Sequence, residues 1–158
     1  MHGAILSRAL LACAFVAAVP SAGFSQTTYN WVGATSDYAL AANWSPARSA
    51  PAATDILVFA TGGATTVTGV PTQTVGELHV SGNTVVTVSV PASRVLTVAG
   101  GAAAADFTVA SGSSLKWSGG YAWTVALGAA AVGVVDGDVV FTSTGASIAH
   151  RLTAVNKG

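Results

Sequence analysis

The sequence predicts an all-β protein and, within that class, a β-solenoid similar to a parallel β-helix. From about residue 60 onwards, short runs of Val, Thr and Leu alternate with small turns of Gly, Ser and Asn. β-branched residues favour strands, whereas Gly, Ser and Asn favour tight turns. Strand–turn units of similar length are typical of stacked rungs, so we expect each unit to lie on the next.

A β-sandwich is the alternative fold, because its turns also recur every ~8–12 residues. Two features favour the solenoid. Many of the predicted strands are very short, and turns such as Ser81–Asn83 contain residue types that tolerate the left-handed backbone of solenoid corners. The turn glycines are unevenly spaced, so the sequence does not determine a rung length.

The predicted strands follow one another through the repetitive region. Val86, Val88 and Val90 share one face of one such strand, whereas the Thr and Ser residues between them share the other. The other predicted strands include Glu77–Val80, Arg94–Val98, Phe107–Val109, Val134–Val135 and Asp138–Thr142.

The composition limits the class of protein. The chain has 158 residues, which is enough for one domain with a sizeable core. Charged residues make up 8%, against about 25% in an average protein, and six Lys and Arg balance six Asp and Glu. Proteins that bind nucleic acids usually carry an excess of positive charge, which this sequence lacks, so we expect no nucleic-acid partner. A surface made of Thr, Ser, Gly and Asn fits an extracellular β-protein.

Residues 1–25 are predicted to be a secretory signal peptide. Met1–Arg8 is a positively charged start, and Ala9–Val19 is an apolar stretch too short to span a membrane. The small residues after Pro20 fit cleavage after Ser25, and a cut two or three residues earlier is the alternative. We therefore expect a secreted or bacterial cell-surface protein, extracellular or at the outer membrane, with no transmembrane segment after cleavage.

Cys13 is the only cysteine and lies inside this apolar stretch. The run Leu10–Cys13 resembles a bacterial lipoprotein cleavage box, but too few apolar residues separate it from Arg8. The mature chain would then have no thiol and no disulfide. For an exported protein, this favours a bacterial envelope or medium.

The mature chain has two parts of different composition. Residues 26–59 are rich in aromatic side chains, and residues 60–158 are aliphatic, Thr-rich and repetitive. The ends of a solenoid aggregate unless they are covered. We expect the first part to be an N-terminal cap whose rings cover the first rung, and the second part to be the rungs. The far end is predicted to be open and available for self-association.

The four tryptophans are the candidate glycan-contact residues, because exposed indole rings stack on sugars. They are Trp31, Trp44, Trp117 and Trp123. The competing interpretation is that these rings pack the cap and the stack.

The acidic and histidine side chains show no spacing that indicates catalysis. A glycosidase needs two facing carboxylates, and no pair stands out. No Gly-x-Ser-x-Gly motif supports a serine hydrolase built on His79 or His150. Asp136 and Asp138 flank a glycine and could bind Ca²⁺, but a plain β-turn explains the same residues. The sequence therefore predicts no catalytic residue, no cofactor and no metal.

Several segments resemble the start of large secreted surface proteins of Gram-negative bacteria, the autotransporter-like β-helical repeat proteins. These segments are Tyr29–Gly33, Ala42–Pro46, Asp55–Phe59, Val70–Leu78, Val80–Asn83 and Ala149–Ala154. The resemblance implies a β-helix and says little about activity. Such proteins are generally long and end in a secretion-linked segment, so the resemblance also implies that this chain is a truncated N-terminal part.

The favoured functional hypothesis is an exported, non-enzymatic β-solenoid, a structural or adhesin-like passenger that holds distal segments away from the cell. The first alternative is a carbohydrate-binding module, whose partners would be extracellular glycans or other host or cell-surface components. The second alternative is a secreted polysaccharide-degrading enzyme, since some β-helices are such enzymes.

Overall fold

The computed structural model describes residues 25–100, 105–143 and 150–154, which form strands, turns and a short 3-10 helix, Ala41–Asn43. The predicted signal peptide lies outside the described residues apart from Ser25, and so does Cys13. In chain order the strands are β1 (Thr28–Trp31), β2 (Trp44–Ser45), β3 (Ile56–Phe59), β4 (Gly63–Thr68), β5 (Gln73–Val75), β6 (Glu77–Val80), β7 (Thr84–Ser89), β8 (Arg94–Val98), β9 (Phe107–Val109), β10 (Ser114–Gly119), β11 (Trp123–Leu127), β12 (Gly133–Val135), β13 (Asp138–Ser143) and β14 (Arg151–Ala154).

The strands form three sheets that wind around one axis. Sheet A has the order β12-β9-β6-β3-β1-β2, sheet B the order β13-β10-β7-β4 and sheet C the order β14-β11-β8-β5. From β3 onwards, each strand pairs in parallel with the strand three places later in the chain, so three consecutive strands make one rung. The four rungs are β3–β5, β6–β8, β9–β11 and β12–β14. The predicted β-solenoid is confirmed, and the β-sandwich alternative is wrong.

The rungs differ in length, which explains why the sequence shows no fixed period. On sheet A, residue 56 aligns with 77, residue 78 with 107 and residue 107 with 133, so successive rungs advance by 21, 29 and 26 residues. Extra residues enter mainly at the corner between sheets C and A. One residue separates Val75 from β6, whereas Val98 is followed by β9 only at Phe107. The core requires a constant strand register, and the corner length is free to vary.

Alternate side chains of each strand point into the stack and form one core. On sheet A, Leu57, Leu78 and Phe107 are aligned across three rungs and fully buried. On sheet B, Val86 and Val88 are buried, as their alternation predicted. Burying each such side chain contributes about 1.5–3 kcal/mol. A cavity between Leu57, Val67 and Leu115 in this core has a volume of about 10 Å³, which is too small for more than one water molecule, so the core is packed there.

The corner between sheets A and B requires left-handed backbone. Gly82 and Asn83 have φ values of 65° and 57°, and the corresponding Gly112 has 77°. Glycine and asparagine enter this region at the lowest cost, so the predicted Ser81–Asn83 turn is confirmed. The Thr84 hydroxyl accepts a hydrogen bond from the Gly62 N–H at 3.0 Å, which ties one corner to the next.

The segment before β3 contacts the first rung on all three sides. β1 pairs in parallel with β3 and antiparallel with β2, which extends sheet A. Beside sheet B, the Tyr38 N–H donates to the Thr68 carbonyl at 2.9 Å. Beside sheet C, Arg48 reaches Gln73 at 3.5 Å. The predicted aromatic cap is confirmed, although Ile56–Phe59, which the sequence placed in the cap segment, forms the first strand of the first rung.

Candidate functional site

The four predicted glycan-contact residues form two separate pairs inside the protein. Trp31 and Trp44 meet edge to face in the cap, with ring centroids 5.0 Å apart, and Trp117 and Trp123 lie 4.9 Å apart in the third rung. All four side chains are only 1–3% exposed. A sugar can stack only on a free ring face, so the structure contradicts the glycan-contact prediction at these residues and supports the packing interpretation.

The cap pair closes the N-terminal end of the core. Trp31 and Trp44 are partners in the β1–β2 ladder, and both rings pack on Phe59 of the first rung, with centroids 5.6 and 5.5 Å away. Both indole N–H groups are satisfied. Trp31 donates to the Thr65 hydroxyl at 3.1 Å, and Trp44 donates to the Tyr38 carbonyl at 3.0 Å. Neither indole ring therefore offers a free face or an unsatisfied N–H group at this end.

A buried ion pair lies beside the cap. Arg48 Nε is 2.7 Å from Asp55 Oδ2, and the two side chains are 2% and 3% exposed. The guanidinium also donates to the Tyr38 hydroxyl at 3.3 Å, and Asp55 accepts from the Ala52 N–H at 2.9 Å. Two buried charges are tolerated only while each has its partner and further hydrogen bonds. The arrangement locks the residues before β3 onto the first rung.

Tyr38 links this ion pair to sheet C. Its hydroxyl accepts hydrogen bonds from Arg48 and from the Gln73 side-chain amide. Burial raises the pKa of Tyr38 to about 12, because the cost of burying a phenolate outweighs the attraction of the Arg48 guanidinium. The phenol therefore stays neutral and acts as a structural bridge.

A groove of about 280 Å³ opens beside these residues, between Pro51 and Pro71. Tyr38, Arg48 and Gln73 line it, and their polar groups are bonded to one another and to Asp55. Because these three side chains already bond to one another and to Asp55, a ligand in the groove would find complementary shape but no unpaired charge on them.

Sequence reasoning did not identify the Arg48–Asp55 pair. A signal was present, because opposite charges seven residues apart are conspicuous in a chain with 8% charged residues. Nothing in their spacing reveals that the cap brings them together, since the contact depends on how residues 44–55 turn over the first rung.

Glu77, His79 and Thr108 form a hydrogen-bonded chain on the outer face of sheet A. His79 Nε2 lies 2.8 Å from Glu77 Oε2, and His79 Nδ1 lies 2.8 Å from Thr108 Oγ1. A hydroxyl, an imidazole and a carboxylate in this order occur at nucleophilic sites. Thr108 lies in the middle of β9, whose backbone pairs with β6 and β12, so this part of the sheet has no free N–H pair to stabilise an oxyanion. These hydrogen bonds link the second rung to the third.

Among the residues that the structure describes, none covers the last described rung. β12, β13 and β14 each form one edge of their sheet, and β2, β4 and β5 form the opposite edges. Phe141 aligns with Trp117 and Leu152 with Val125, so both occupy positions that are buried one rung earlier. Phe141 stacks on Trp117 with centroids 4.6 Å apart, yet remains 44% exposed. Val135, aligned with the buried Val109, is also exposed.

The charges of this rung lie at two different corners. Asp136 and Asp138 are exposed at the corner between sheets A and B. The N–H groups of Asp136 and Gly137 both donate to the Val109 carbonyl at 2.9 Å, which fits the turn interpretation of this segment. At the corner between sheets B and C, Arg151 is exposed and His150 is partly buried.

Within the described ranges, no group of three or more His, Cys, Asp or Glu side chains could hold a metal ion. Over the same residues, no helix is both long and apolar enough to cross a membrane. No family model, curated protein or solved structure matches this chain. The resemblance to autotransporter-like proteins therefore stays a prediction.

Proposed function

We propose that this chain is an exported, non-enzymatic β-solenoid of the bacterial surface, a structural or adhesin-like passenger that holds other segments at a distance. The observation that carries the proposal is the difference between the ends of the stack. The rings of the aromatic cap cover the inward side chain of Phe59 at the N-terminal end, whereas Phe141 and Leu152 of the last described rung are exposed.

Because the two ends of the stack differ, the solenoid has a defined direction along its axis, and this suits a spacer. Each rung adds about 4.8 Å along the axis, and parallel ladders hold successive rungs rigidly in register. On sheet A, β1 and the two-residue strand β2 cover β3, and a very short edge strand limits pairing with other chains. The signal-like residues 1–25 and the charge-poor, Thr-rich surface support export.

Export is tested by expressing residues 1–158 with a C-terminal epitope tag in a Gram-negative host. We expect a processed protein that has left the cytoplasm, so that its tag is digested by protease once the outer membrane is permeabilised. A variant lacking residues 1–25 is the matched control and should stay inside, full length and protected. An unprocessed wild-type chain confined to the cytoplasm would refute the proposal.

The non-enzymatic part is tested on the purified mature chain with a panel of bacterial and plant polysaccharides. We expect no release of new reducing ends. His79→Ala, which breaks the Glu77–His79–Thr108 chain, is the matched variant. Sustained release by the wild type that disappears in His79→Ala would show that this chain of side chains is catalytic and that the proposal is wrong.

A further inference from the structure

We propose that the groove between Pro51 and Pro71 is a binding site for a neutral sugar. The inference goes beyond the proposed function, because it rests on the side chains of the groove and does not depend on export. The groove has a volume of about 280 Å³ and lies where the cap meets β5, to which Gln73 belongs. Small-molecule sites usually measure about 300–1,000 Å³, so the groove suits one small ring.

The groove has a largely apolar rim and a polar floor. Tyr38 and Arg48 form the deepest part, since they are 3% and 4% exposed, and Gln73 beside them is partly buried. The rim consists mainly of alanine and proline side chains, namely Ala39, Ala41, Pro51 and Pro71. An apolar lining around a few convergent polar groups is typical of a small-molecule site. None of the four tryptophans lines the groove, so this site differs from the one that the sequence predicted.

Arg48 has more hydrogen-bond donors than its neighbours use. An arginine side chain carries five N–H groups and no acceptor. Arg48 donates one N–H to each of Asp55, Tyr38 and Gln73, and the last of these bonds is long, at 3.5 Å. Among the residues that the structure describes, none accepts a hydrogen bond from the two N–H groups that remain.

Tyr38 and Gln73 each add a further donor. The Tyr38 hydroxyl accepts from both Arg48 and Gln73, so neither bond uses its own proton. Burial raises the pKa of Tyr38 to about 12, so this proton is retained at any physiological pH. The Gln73 amide donates one N–H to Tyr38 and has a second one. Within the described ranges, no acceptor is bonded to the Tyr38 proton or to this second N–H.

These spare donors favour a ligand that supplies acceptor oxygens but no charge. The charge of Arg48 is already balanced by Asp55 at 2.7 Å, and both side chains are buried. A ligand carboxylate would therefore add an unpaired negative charge beside Asp55, which is costly in a desolvated place. A neutral sugar ring avoids this cost. Its several oxygens accept hydrogen bonds from the floor, and its apolar C–H faces lie against Pro51 and Pro71.

The test is a titration of the purified, isotope-labelled mature chain with methyl glycosides of glucose, galactose, mannose and glucuronic acid, followed by NMR. We expect at least one neutral glycoside to bind saturably at millimolar concentration and to shift the side-chain amide signals of Gln73. Gln26 is the other glutamine of the chain, and its amide is bonded to Glu77 on sheet A, so its signals should stay unchanged. Added salt should leave the affinity unchanged, because the ligand carries no charge.

Two variants locate the binding. Ser49→Trp places a large ring at an exposed position of the groove and should weaken binding by about tenfold or more. Gln73→Leu keeps the volume of the side chain but removes its amide donor, and should also weaken binding by about tenfold. Ser111→Trp is the matched control, because Ser111 is exposed at a corner of the third rung, and it should bind like the wild type. Circular dichroism checks that each variant is folded.

A wild-type chain that binds none of the glycosides saturably would overturn the proposal. Binding that survives in folded Ser49→Trp would also overturn it, because the sugar would then lie outside the groove. A preference for the glucuronide over the glucoside that is lost with added salt would show that the ligand is an anion and that the assignment to a neutral sugar is wrong.

Discussion

The two ends of this solenoid carry similar inward side chains in opposite surroundings. Phe59 in the first rung is 4% exposed, because Trp31 and Trp44 lie over it, whereas Phe141 in the last described rung is 44% exposed. Both residues occupy inward positions of a strand. An inward position in a solenoid is therefore only as buried as the next layer makes it, and burial is a property of neighbouring rungs as much as of the sequence pattern.

The two tryptophan pairs differ in a second way. In the cap, the N–H groups of Trp31 and Trp44 both have acceptors. In the third rung, the N–H groups of Trp117 and Trp123 are buried without a hydrogen-bond partner among the described residues. The tryptophans of the cap are thus satisfied in both their apolar and their polar groups, whereas the third rung is satisfied mainly by packing.

The largest contrast is expected from the same substitution at the two ends. Phe59→Ala should lower the free energy of unfolding by about 3–5 kcal/mol, because it leaves a cavity beneath the cap. Phe141→Ala should cost about 1–2 kcal/mol, because almost half of that ring is already in water. Urea unfolding measures both values. Equal losses would mean that the open end is covered within one chain.

The next effect concerns the ion pair beside the cap. Asp55→Asn should cost about 3 kcal/mol, because Arg48 would be left buried without its counter-charge. Asp136→Asn is the matched control at the open end, where the carboxylate is exposed, and should change stability by less than about 0.5 kcal/mol. Chemical denaturation compares the two variants. A small loss in Asp55→Asn would show that solvent reaches the pair.

A pH-dependent loss of stability should originate in the cap. The unfolded chain loses the proton of Tyr38 near pH 10, whereas the folded chain keeps it until about pH 12. Unfolding therefore releases a proton in this window, so the contribution is complete below pH 10 and is lost as the pH rises to 12. The total loss is about 3 kcal/mol.

Tyr38→Phe isolates this effect. The variant starts from a lower stability, since it loses the hydrogen bonds to Arg48 and Gln73, but its decline between pH 10 and 12 should be shallower than that of the wild type. Tyr121→Phe, which changes a half-exposed ring, should keep the wild-type slope. Unfolding curves across this pH range provide the slopes, and an unchanged slope in Tyr38→Phe would contradict the assignment.

Much of the fold could be predicted because strand alternation and turn chemistry are local properties. The alternation of Val86 and Val88 with polar residues predicted that both side chains share the buried face of their strand. The Ser81–Asn83 segment predicted a corner, which the structure shows at that place. Rung length could not be predicted, because the extra residues between Val98 and Phe107 enter at a corner without disturbing the register.

The candidate sites were less predictable, because they depend on contacts between distant segments. A tryptophan is the same residue in the sequence whether its ring is exposed or buried. The sequence therefore could not distinguish a glycan-binding role of Trp44 from a packing role. The ion pair depends in the same way on how the cap turns over β3. Its acceptor, Asp55, looks like any other turn carboxylate in the sequence.

The smallest expected difference separates the two tryptophan pairs by their polar atoms. Trp44→Phe and Trp117→Phe both remove part of a buried ring, so their apolar losses are similar. Trp44→Phe also leaves the Tyr38 carbonyl without the indole donor, whereas Trp117→Phe removes an N–H that has no acceptor. We expect Trp44→Phe to be more destabilising by about 1 kcal/mol in urea unfolding. Equal losses would show that the Trp117 N–H is solvated or bonded in solution, and that the third rung is as well satisfied as the cap.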